Sequence, residues 1–466
     1  MPGVNFKLRD LPSVSSLLAD GRLTTLAAAH GLTTADLKRC AEDVLSALRD
    51  TRTDAGAPMD KDTLRAHVAD AIAEALHLAS LRKLQPVINA TGILVHTNLG
   101  RAPLGERLLD AVRPALLGYA NLEYELGEGK RGKRGMEIER MLSALSGAEA
   151  ALLVNNNAGA VFLILRTLCA GREVVVSRGE LVQIGGGFRI PDIMAESGAV
   201  MREVGTSNIT TAQDYADALS ENTAAFLKVH RSNFGLTGFT ADASLEELAP
   251  IAHEHGVMLI DDMGAAALLP ENEANTLGLP HPASSLRAGS DVVCFSADKI
   301  LGLAQGGIIL GKRAPLMKLR KSPLYRALRP DKSMLALIEA GLSLIADGDF
   351  SAIPVNAVLM QGADALKTKA FVLAKKLRKA GADAEVVESQ GEIGGGIAGR
   401  KLKSYAVVVG INKTPPDTLS QKLRHSRPSI IAVVREGKLM LDVLAIMPGD
   451  DERITAVVAG LVKEAK

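Results

Sequence analysis

The stretch Asp291-Val-Val-Cys-Phe-Ser-Ala-Asp-Lys299-Ile-Leu-Gly302 decides the interpretation of this chain, because it places a lysine directly after an apolar strand. An amine forms an imine with an aldehyde only when it is uncharged. A desolvated position close to other cations lowers the pKa of a lysine toward that neutral state. We therefore predict that Lys299 anchors an aldehyde cofactor. The alternative is a surface lysine that follows a buried strand.

A second apolar run, Gly256-Val-Met-Leu-Ile-Asp261-Asp262-Met-Gly264, lies upstream and ends in two carboxylates. Such a run is typical of a buried parallel strand. In pyridoxal-phosphate enzymes of the aspartate-aminotransferase-like class, an aspartate in this place pairs with the protonated pyridine nitrogen, which makes the ring an electron sink. We predict this role for Asp262 and pyridoxal 5'-phosphate as the cofactor. A helix N-cap or a turn acid is the alternative for Asp262.

Length and composition limit the class of protein. The chain has 466 residues, too many for one ordinary domain, and its 47% hydrophobic content supports a large core. No run of about 18 uncharged apolar residues occurs, and the N-terminus lacks the layout of a signal peptide, so we expect a cytoplasmic protein without a membrane segment. The cysteines Cys40, Cys169 and Cys294 form no CxxC pair, so neither a disulfide framework nor a metal site is expected.

Periodicity divides the chain into three predicted domains. Residues 1–84 have apolar residues at helical spacing and predict a helical N-terminal domain. In residues 85–345, short β-branched runs alternate with helical stretches, which predicts an α/β domain with a mostly parallel sheet covered on both faces. Residues 346–466 predict an α+β C-terminal domain, in which the glycine-rich segment Gly391–Gly399 is predicted to be a flexible or ligand-approaching loop. The predicted strands are Ala151–Val154, Glu173–Ser177, Ala224–Val229, Val257–Ile260, Asp291–Phe295, Gly307–Leu310, Tyr405–Val409, Ile430–Val434 and Lys438–Val443.

Several long motifs occur in the order found in the bacterial selenocysteine synthases, the L-seryl-tRNA(Sec) selenium transferases. The chain resembles this family nearly end to end, and an unbroken match as long as Val176–Ile193 is specific to a family rather than to α/β proteins in general. The motifs that carry the resemblance are Leu11–Val14, Val87–Leu104, Asn121–Gly132, Val154–Ala158, Val176–Ile193, Arg202–Asn208 and Tyr325–Lys332.

The resemblance implies a fold type I pyridoxal-phosphate transferase that converts L-seryl-tRNA(Sec) to L-selenocysteinyl-tRNA(Sec) with selenophosphate, through an aldimine and an aminoacrylyl intermediate. Lys299, once released from the cofactor, is the natural base for the α-proton. Asp298 is expected to assist proton transfer to the leaving hydroxyl. An acid beside a lysine can also be simply its charge partner.

Binding residues follow from motif positions and from chemistry. The resemblance assigns anion binding to Arg101, Arg326 and Arg329, whose guanidinium groups suit an oxyanion; on a helix, the last two would share a face. The alternative for each is a solvated arginine. The cofactor phosphate is expected at a strand-to-helix turn with free backbone amides, which points to Asn156, Asn157 and Ala158, unless the asparagines are plain caps. His230 ends a strand and is a further candidate for cofactor contact, with a buried structural histidine as the alternative.

Partners are also implied by the resemblance: the N-terminal domain would hold tRNA, and the chain would form a homo-oligomer, a decameric ring of dimers with active sites between subunits. The chain departs from the family pattern at Ala265-Ala266 and at Leu303-Ala304, where glycine, serine or proline is usual. A selenocysteine-synthase-like lyase acting on a small anionic or phosphorylated amino compound is therefore the alternative function. A catalytically idle paralogue that binds tRNA is a third, which the retained Lys299 and Asp262 argue against.

Overall fold

The computed structural model describes residues 4–55 and 57–465, so residues 1–3, 56 and 466 of the predicted domains lie outside the described residues. Contacts divide the chain into two compact units, with the boundary between Val87 and Ile88. The three-domain division at residues 84 and 345 stays a prediction. None of the helices in the described ranges combines the length and the apolar character needed to span a bilayer.

The first unit is a helical bundle whose helix starts are capped by local polar side chains. Asp20 and Asp60 each accept hydrogen bonds from backbone N–H groups of the following turn, and Thr33 forms a capping box with Asp36. Apolar residues at helical spacing, such as Leu45 and Ile72, are fully buried between the helices. The helices are α1 (Val14–Leu18), α2 (Gly21–Ala29), α3 (Thr34–Asp50) and α4 (Lys61–Leu81).

Strands and helices follow one another from β1, which starts at Val87 on the unit boundary, up to residue 346. In chain order they are β1 (Val87–Asn89), β2 (Ile93–Val95), α5 (Glu106–Leu117), β3 (Tyr124–Glu125), β4 (Lys130–Arg131), α6 (Met136–Ser146), β5 (Ala150–Val154), α7 (Asn157–Leu168), β6 (Glu173–Ser177), β7 (Gln183–Ile184), β8 (Phe188–Arg189), α8 (Ile190–Ser197), β9 (Val200–Val204), α9 (Ala212–Asp217), β10 (Thr223–Val229), α10 (Leu245–Glu254), β11 (Met258–Ala265), α11 (Glu271–Leu277), α12 (Pro282–Arg287), β12 (Val292–Ser296), β13 (Gly307–Gly311), α13 (Arg313–Lys321), α14 (Pro323–Ala327) and α15 (Lys332–Ala346).

The remaining elements form an α+β part. They are α16 (Pro354–Met360), α17 (Ala363–Lys379), β14 (Asp383–Gly394), β15 (Ile397–Gly410), α18 (Pro416–Arg424), β16 (Ser429–Ile431), β17 (Val433–Arg435), β18 (Lys438–Asp442) and α19 (Asp450–Glu464).

The central sheet has the strand order β5–β13–β12–β11–β10–β6–β9. Its strands run parallel except β13, which is antiparallel to both β12 and β5. Side chains alternate between its two faces: Leu152 and Val154 join one core cluster, and Ala151 and Leu153 join another. Helices therefore cover both faces, and the predicted α/β fold class with a mostly parallel sheet is confirmed.

The sheet of the C-terminal part has the order β17–β18–β15–β14–β2. Its long hairpin, β14–β15, includes most of Gly391–Gly399, so the prediction of a flexible loop there was wrong: only Gly395 and Gly396 form the turn. Strand β2 comes from far earlier in the chain and pairs with β14 in parallel.

Two strand predictions also need correction. The run predicted to end before Asp261 continues as β11 through Ala265, so Asp262 lies inside a strand and is neither a helix cap nor a turn acid. The predicted strand Ile430–Val434 is two short strands, β16 and β17.

Candidate active site

Lys299 lies in a tight turn directly after β12. The turn is closed by backbone bonds from the N–H of Gly302 to the Lys299 carbonyl at 3.0 Å and from the N–H of Leu303 to the Ala297 carbonyl at 3.0 Å. Lys299 is half-buried, and burial lowers its pKa; Arg101 lowers it further, whereas Asp262 and Asp298 oppose the shift. Its surroundings therefore favour the neutral amine more than bulk water does.

Asp262 faces Lys299 from the neighbouring strand β11 and is 6% exposed. Its Oδ1 accepts hydrogen bonds from Asn157 Nδ2 at 2.8 Å and from the Gly264 N–H at 3.1 Å, and the Cys294 thiol lies 3.6 Å from the same oxygen. Burial nevertheless raises the pKa of Asp262. A buried, charged carboxylate is stabilised by a cationic partner.

Asp298 is held by Arg101. Arg101 Nη1 donates to Asp298 Oδ2 at 2.6 Å, and Arg101 adopts a left-handed backbone conformation with φ 63°. A non-glycine residue with this conformation is strained, and such strain is concentrated at functional sites. Asp298 is 8% exposed, and its Oδ1 has no hydrogen-bond partner among the described residues.

The turn between β5 and α7 has the form expected of a phosphate site. Asn156 caps α7 by accepting from the Gly159 N–H at 2.7 Å. In the described part of the chain, Asn155 Oδ1 and Asn157 Oδ1 are buried without a hydrogen-bond partner. These two oxygens are acceptors and can bond only to water or to another donor, whereas the backbone N–H groups in the first turn of α7 are the donors that suit an anionic ligand.

A cavity of about 220 Å³ brings most of the predicted site residues together. Asp298 is not among the residues that line this cavity, but it forms an ion pair with Arg101, which is. His230 is exposed at the cavity, and its backbone N–H donates to the Asp262 carbonyl at 3.0 Å. The predicted residues that line the cavity are Arg101, Asn156, Asn157, Ala158, His230, Asp262 and Lys299.

The other two predicted arginines line a different cavity, of about 410 Å³. Both are exposed, and Arg329 Nη1 lies 4.0 Å from Glu123 Oε1. Helix α14 ends at Ala327, so the expectation that Arg326 and Arg329 share one helical face was wrong, although both side chains line the same cavity.

The departures from the family pattern are explained by packing. Leu303 is fully buried in the core, where Gly341 of α15 makes room for it: a Cβ added at Gly341 would lie 2.2 Å from Leu303 Cδ2. Ala304 packs against the same core cluster, and Ala265 and Ala266 are fully buried. These substitutions therefore fill the core next to the site.

Sequence reasoning missed several lining residues. Ile184 and Gly185 of the β7–β8 segment and Ser232 line the cavity beside Lys299. The first two lie inside the long motif Val176–Ile193, whose length was a signal of function without an assigned role. Gly396 lies in the segment Gly391–Gly399, which was predicted to be a flexible or ligand-approaching loop. Its approach to Lys299 was not predicted, because it depends on the hairpin β14–β15.

The donor set fits pyridoxal phosphate. A ring nitrogen carrying a proton would give Asp262 a hydrogen-bonded cationic partner in addition to the nearby Lys299, and the backbone N–H groups at the N-terminus of α7 suit a phosphate. Fold and site together define a pyridoxal-phosphate-dependent enzyme of the aspartate-aminotransferase-like class, as predicted.

Comparison with known proteins narrows this class. A sequence profile described as "SelA: L-seryl-tRNA selenium transferase" matches residues 87–447. The chain is 43% identical over 370 residues to the L-seryl-tRNA(Sec) selenium transferase of Aquifex aeolicus, covering 79% of this chain and 82% of that protein. It is 37% identical over 458 residues to the protein of the same name from Geobacter sulfurreducens, covering 97% and 98%. The chain belongs to the L-seryl-tRNA selenium transferase family, which confirms the family and enzyme class predicted from its motifs.

A solved structure with a similar fold is that of D-glucosaminate-6-phosphate ammonia-lyase. The two chains superpose with a TM-score of 0.58 over 82% of this chain and 97% of the other, at 20% identity. At this level of identity the likeness concerns the fold alone. Because the relatives named as selenium transferases are far more similar in sequence, the alternative of a lyase for small amino compounds is not favoured.

Proposed function

We propose that the chain converts L-seryl-tRNA(Sec) to L-selenocysteinyl-tRNA(Sec), with selenophosphate as the selenium donor. The observation that carries the proposal is the meeting of Lys299, Asp262 and Arg101 at one cavity, in a chain that aligns over almost its whole length with selenium transferases. In the net reaction a selenol replaces the β-hydroxyl of the seryl group. The α-proton and the hydroxyl leave as water, selenium from selenophosphate bonds to the β-carbon while a proton returns to the α-carbon, and water breaks the selenium–phosphorus bond so that phosphate is released.

Lys299 would hold the cofactor and, when displaced by the substrate amine, accept the α-proton. Its lowered pKa supports this role, because only a neutral amine can attack an aldehyde or accept a proton. When bound, the cofactor supplies an electron sink for the carbanion. Asp262, kept in place by Asn157, would keep the ring nitrogen protonated, and Asn156, Asn157 and Ala158 would bind its phosphate.

Arg101 is the arginine best placed to receive an anionic donor at the Lys299 cavity. Its guanidinium is held by the ion pair with Asp298, and the Arg101 side chain as a whole is 35% exposed. Arg326 and Arg329 line a separate cavity in the same chain. This separation supports a homo-oligomer, a ring of dimers in which the arginines of one subunit complete the site of another.

The helical unit of α1–α4 is proposed to bind the tRNA. Family membership over 97% of the chain includes this unit, which a reaction confined to small molecules would not require. A seryl-tRNA substrate also supports the predicted cytoplasmic location.

The test compares seryl-tRNA(Sec) with seryl-tRNA(Ser) as substrates of the purified protein. Cofactor absorbance and selenium incorporation are followed, with Lys299→Ala as the control. Selective binding of seryl-tRNA(Sec), with selenium transfer that Lys299→Ala lacks, is expected. Normal cofactor absorbance without selectivity between the two tRNAs would contradict the proposal and favour a small amino substrate.

A further inference from the structure

The turn of the hairpin β14–β15 lies against the catalytic lysine candidate. Gly396, the second turn residue, has φ +100°, a conformation that favours glycine. A Cβ added there would lie 2.7 Å from Ala265 Cβ, 3.0 Å from Lys299 Cδ and 3.4 Å from Lys299 Nζ. The first two distances are below normal carbon–carbon contact, so a side chain at Gly396 would displace either the hairpin or the lysine stem.

The same hairpin is tied to the segment that carries Arg101. β14 pairs in parallel with β2, with Gly394 opposite Val95, and Arg101 follows β2 after a short turn. A Cβ at Gly394 would lie 2.7 Å from the Val95 carbonyl oxygen, so this pairing also depends on a glycine. The hairpin turn therefore has a fixed position relative to both Lys299 and the Arg101 segment.

Next to the hairpin turn is an open cavity of about 510 Å³ that reaches Lys299. The residues that line it include Gly394, Gly395 and Gly396 of the hairpin, together with Asn98, Arg101 and Asn233. The hairpin turn, Arg101 and Lys299 therefore share one open cavity.

We propose that Gly396 is a positioning residue. Because it has no side chain, it leaves the space beside the aliphatic carbons of Lys299 empty, and the lysine side chain can therefore stay at the cavity. The inference rests on the proposed role of Lys299. It adds that the C-terminal hairpin determines the space in which the Lys299 side chain meets a cofactor aldehyde and a substrate amine. Glycine at position 396 is required because any larger residue takes up the space of the stem.

The experiment measures how much pyridoxal phosphate is bonded to Lys299 in wild type, Gly396→Ala and Gly399→Ala. Borohydride reduces the carbon–nitrogen double bond, and peptide mass spectrometry quantifies the trapped adduct at Lys299. Gly399 is the matched control, because its φ is also positive, at +70°, and a Cβ there meets no described residue within 4 Å. Gly396→Ala is expected to lower the adduct yield about tenfold at limiting cofactor, because overpacking by a methyl group costs free energy of the order that a tenfold change in binding represents. Gly399→Ala is expected to change the yield by less than about twofold.

A second variant, Ala265→Val, adds bulk in the same gap from the strand side without changing a positive-φ residue, so it decides the matter if Gly396→Ala fails to fold. It is expected to lower the adduct yield in the same direction. Equal yields in Gly396→Ala and Gly399→Ala, or an unchanged yield in Ala265→Val when Gly396→Ala does not fold, would overturn the inference. If the wild type forms the adduct but does not use seryl-tRNA(Sec), the proposed function fails, whereas the adduct yields still decide the role of Gly396.

Discussion

Asp298→Asn separates two roles of the acid beside Lys299. The sequence suggests that Asp298 transfers a proton, whereas the structure shows its Oδ2 bonded to Arg101 Nη1 at 2.6 Å. If its main task is to hold Arg101, loss of its charge weakens anion binding and leaves the chemical step largely intact. Asparagine preserves the shape of the side chain and one neutral acceptor oxygen, so it tests charge rather than packing.

The expected size follows from the hydrogen bond that changes. A charge-assisted bond contributes about 1.5–3 kcal/mol and a neutral one about 0.5–1.5 kcal/mol, so the substitution costs about 1–2 kcal/mol. This cost corresponds to about a five- to thirtyfold rise in KM for selenophosphate. Proton transfer by Asp298 would instead lower kcat by about 10²- to 10⁴-fold.

Steady-state kinetics at varied selenophosphate and saturating seryl-tRNA(Sec) measures both constants. Asp349→Asn is a suitable control, because Asp349 also pairs with an arginine, Arg107, in an ion pair that lines none of the cavities around Lys299. The variant should leave KM and kcat near their wild-type values. A fall in kcat of more than about a hundredfold in Asp298→Asn with an unchanged KM would refute the reasoning and restore the proton-transfer role.

Three further predictions concern Asn157, the buried carboxyl group of Asp261, and Gly92. Asn157→Ala removes the 2.8 Å bond to Asp262 and should weaken cofactor binding by about 1–3 kcal/mol, measured by absorbance titration; unchanged affinity would contradict a role for this bond. Burial raises the pKa of Asp261 to about 7, so the folded state binds the proton more tightly than the unfolded state. The wild type should therefore lose about 2–3 kcal/mol of unfolding free energy between about pH 5 and about pH 8. Asp261→Asn should lose less over the same range, as measured by denaturant titration at each pH. Equal losses would argue against a protonated Asp261. Gly92→Ala places a Cβ 2.8 Å from Asp442 Cγ at a φ of +81°, and it should lower the unfolding free energy by more than about 2 kcal/mol, with a near-wild-type melting temperature as the contrary result.

The sequence by itself determined the fold class and predicted which residues are central to the site. Short apolar runs alternating with helical stretches specify a covered parallel sheet, because burial on both faces leaves this pattern in the residues themselves. The prediction of Lys299 and Asp262 as site residues came from the same pattern, since each follows or ends such a run. Local pattern also gave the α7 turn at Asn156, where the polar side chain caps the helix.

Only the tertiary structure decided which distant segments meet. The pairing of β2 with β14 joins residues about three hundred positions apart, and no local periodicity records such a pairing, because strand register depends on packing between segments. The same contacts place Gly396 on the Lys299 stem and Arg101 on Asp298. They also place Leu303 in the core beside Gly341, a complementarity of volume that becomes visible only when α15 packs on the turn after Lys299.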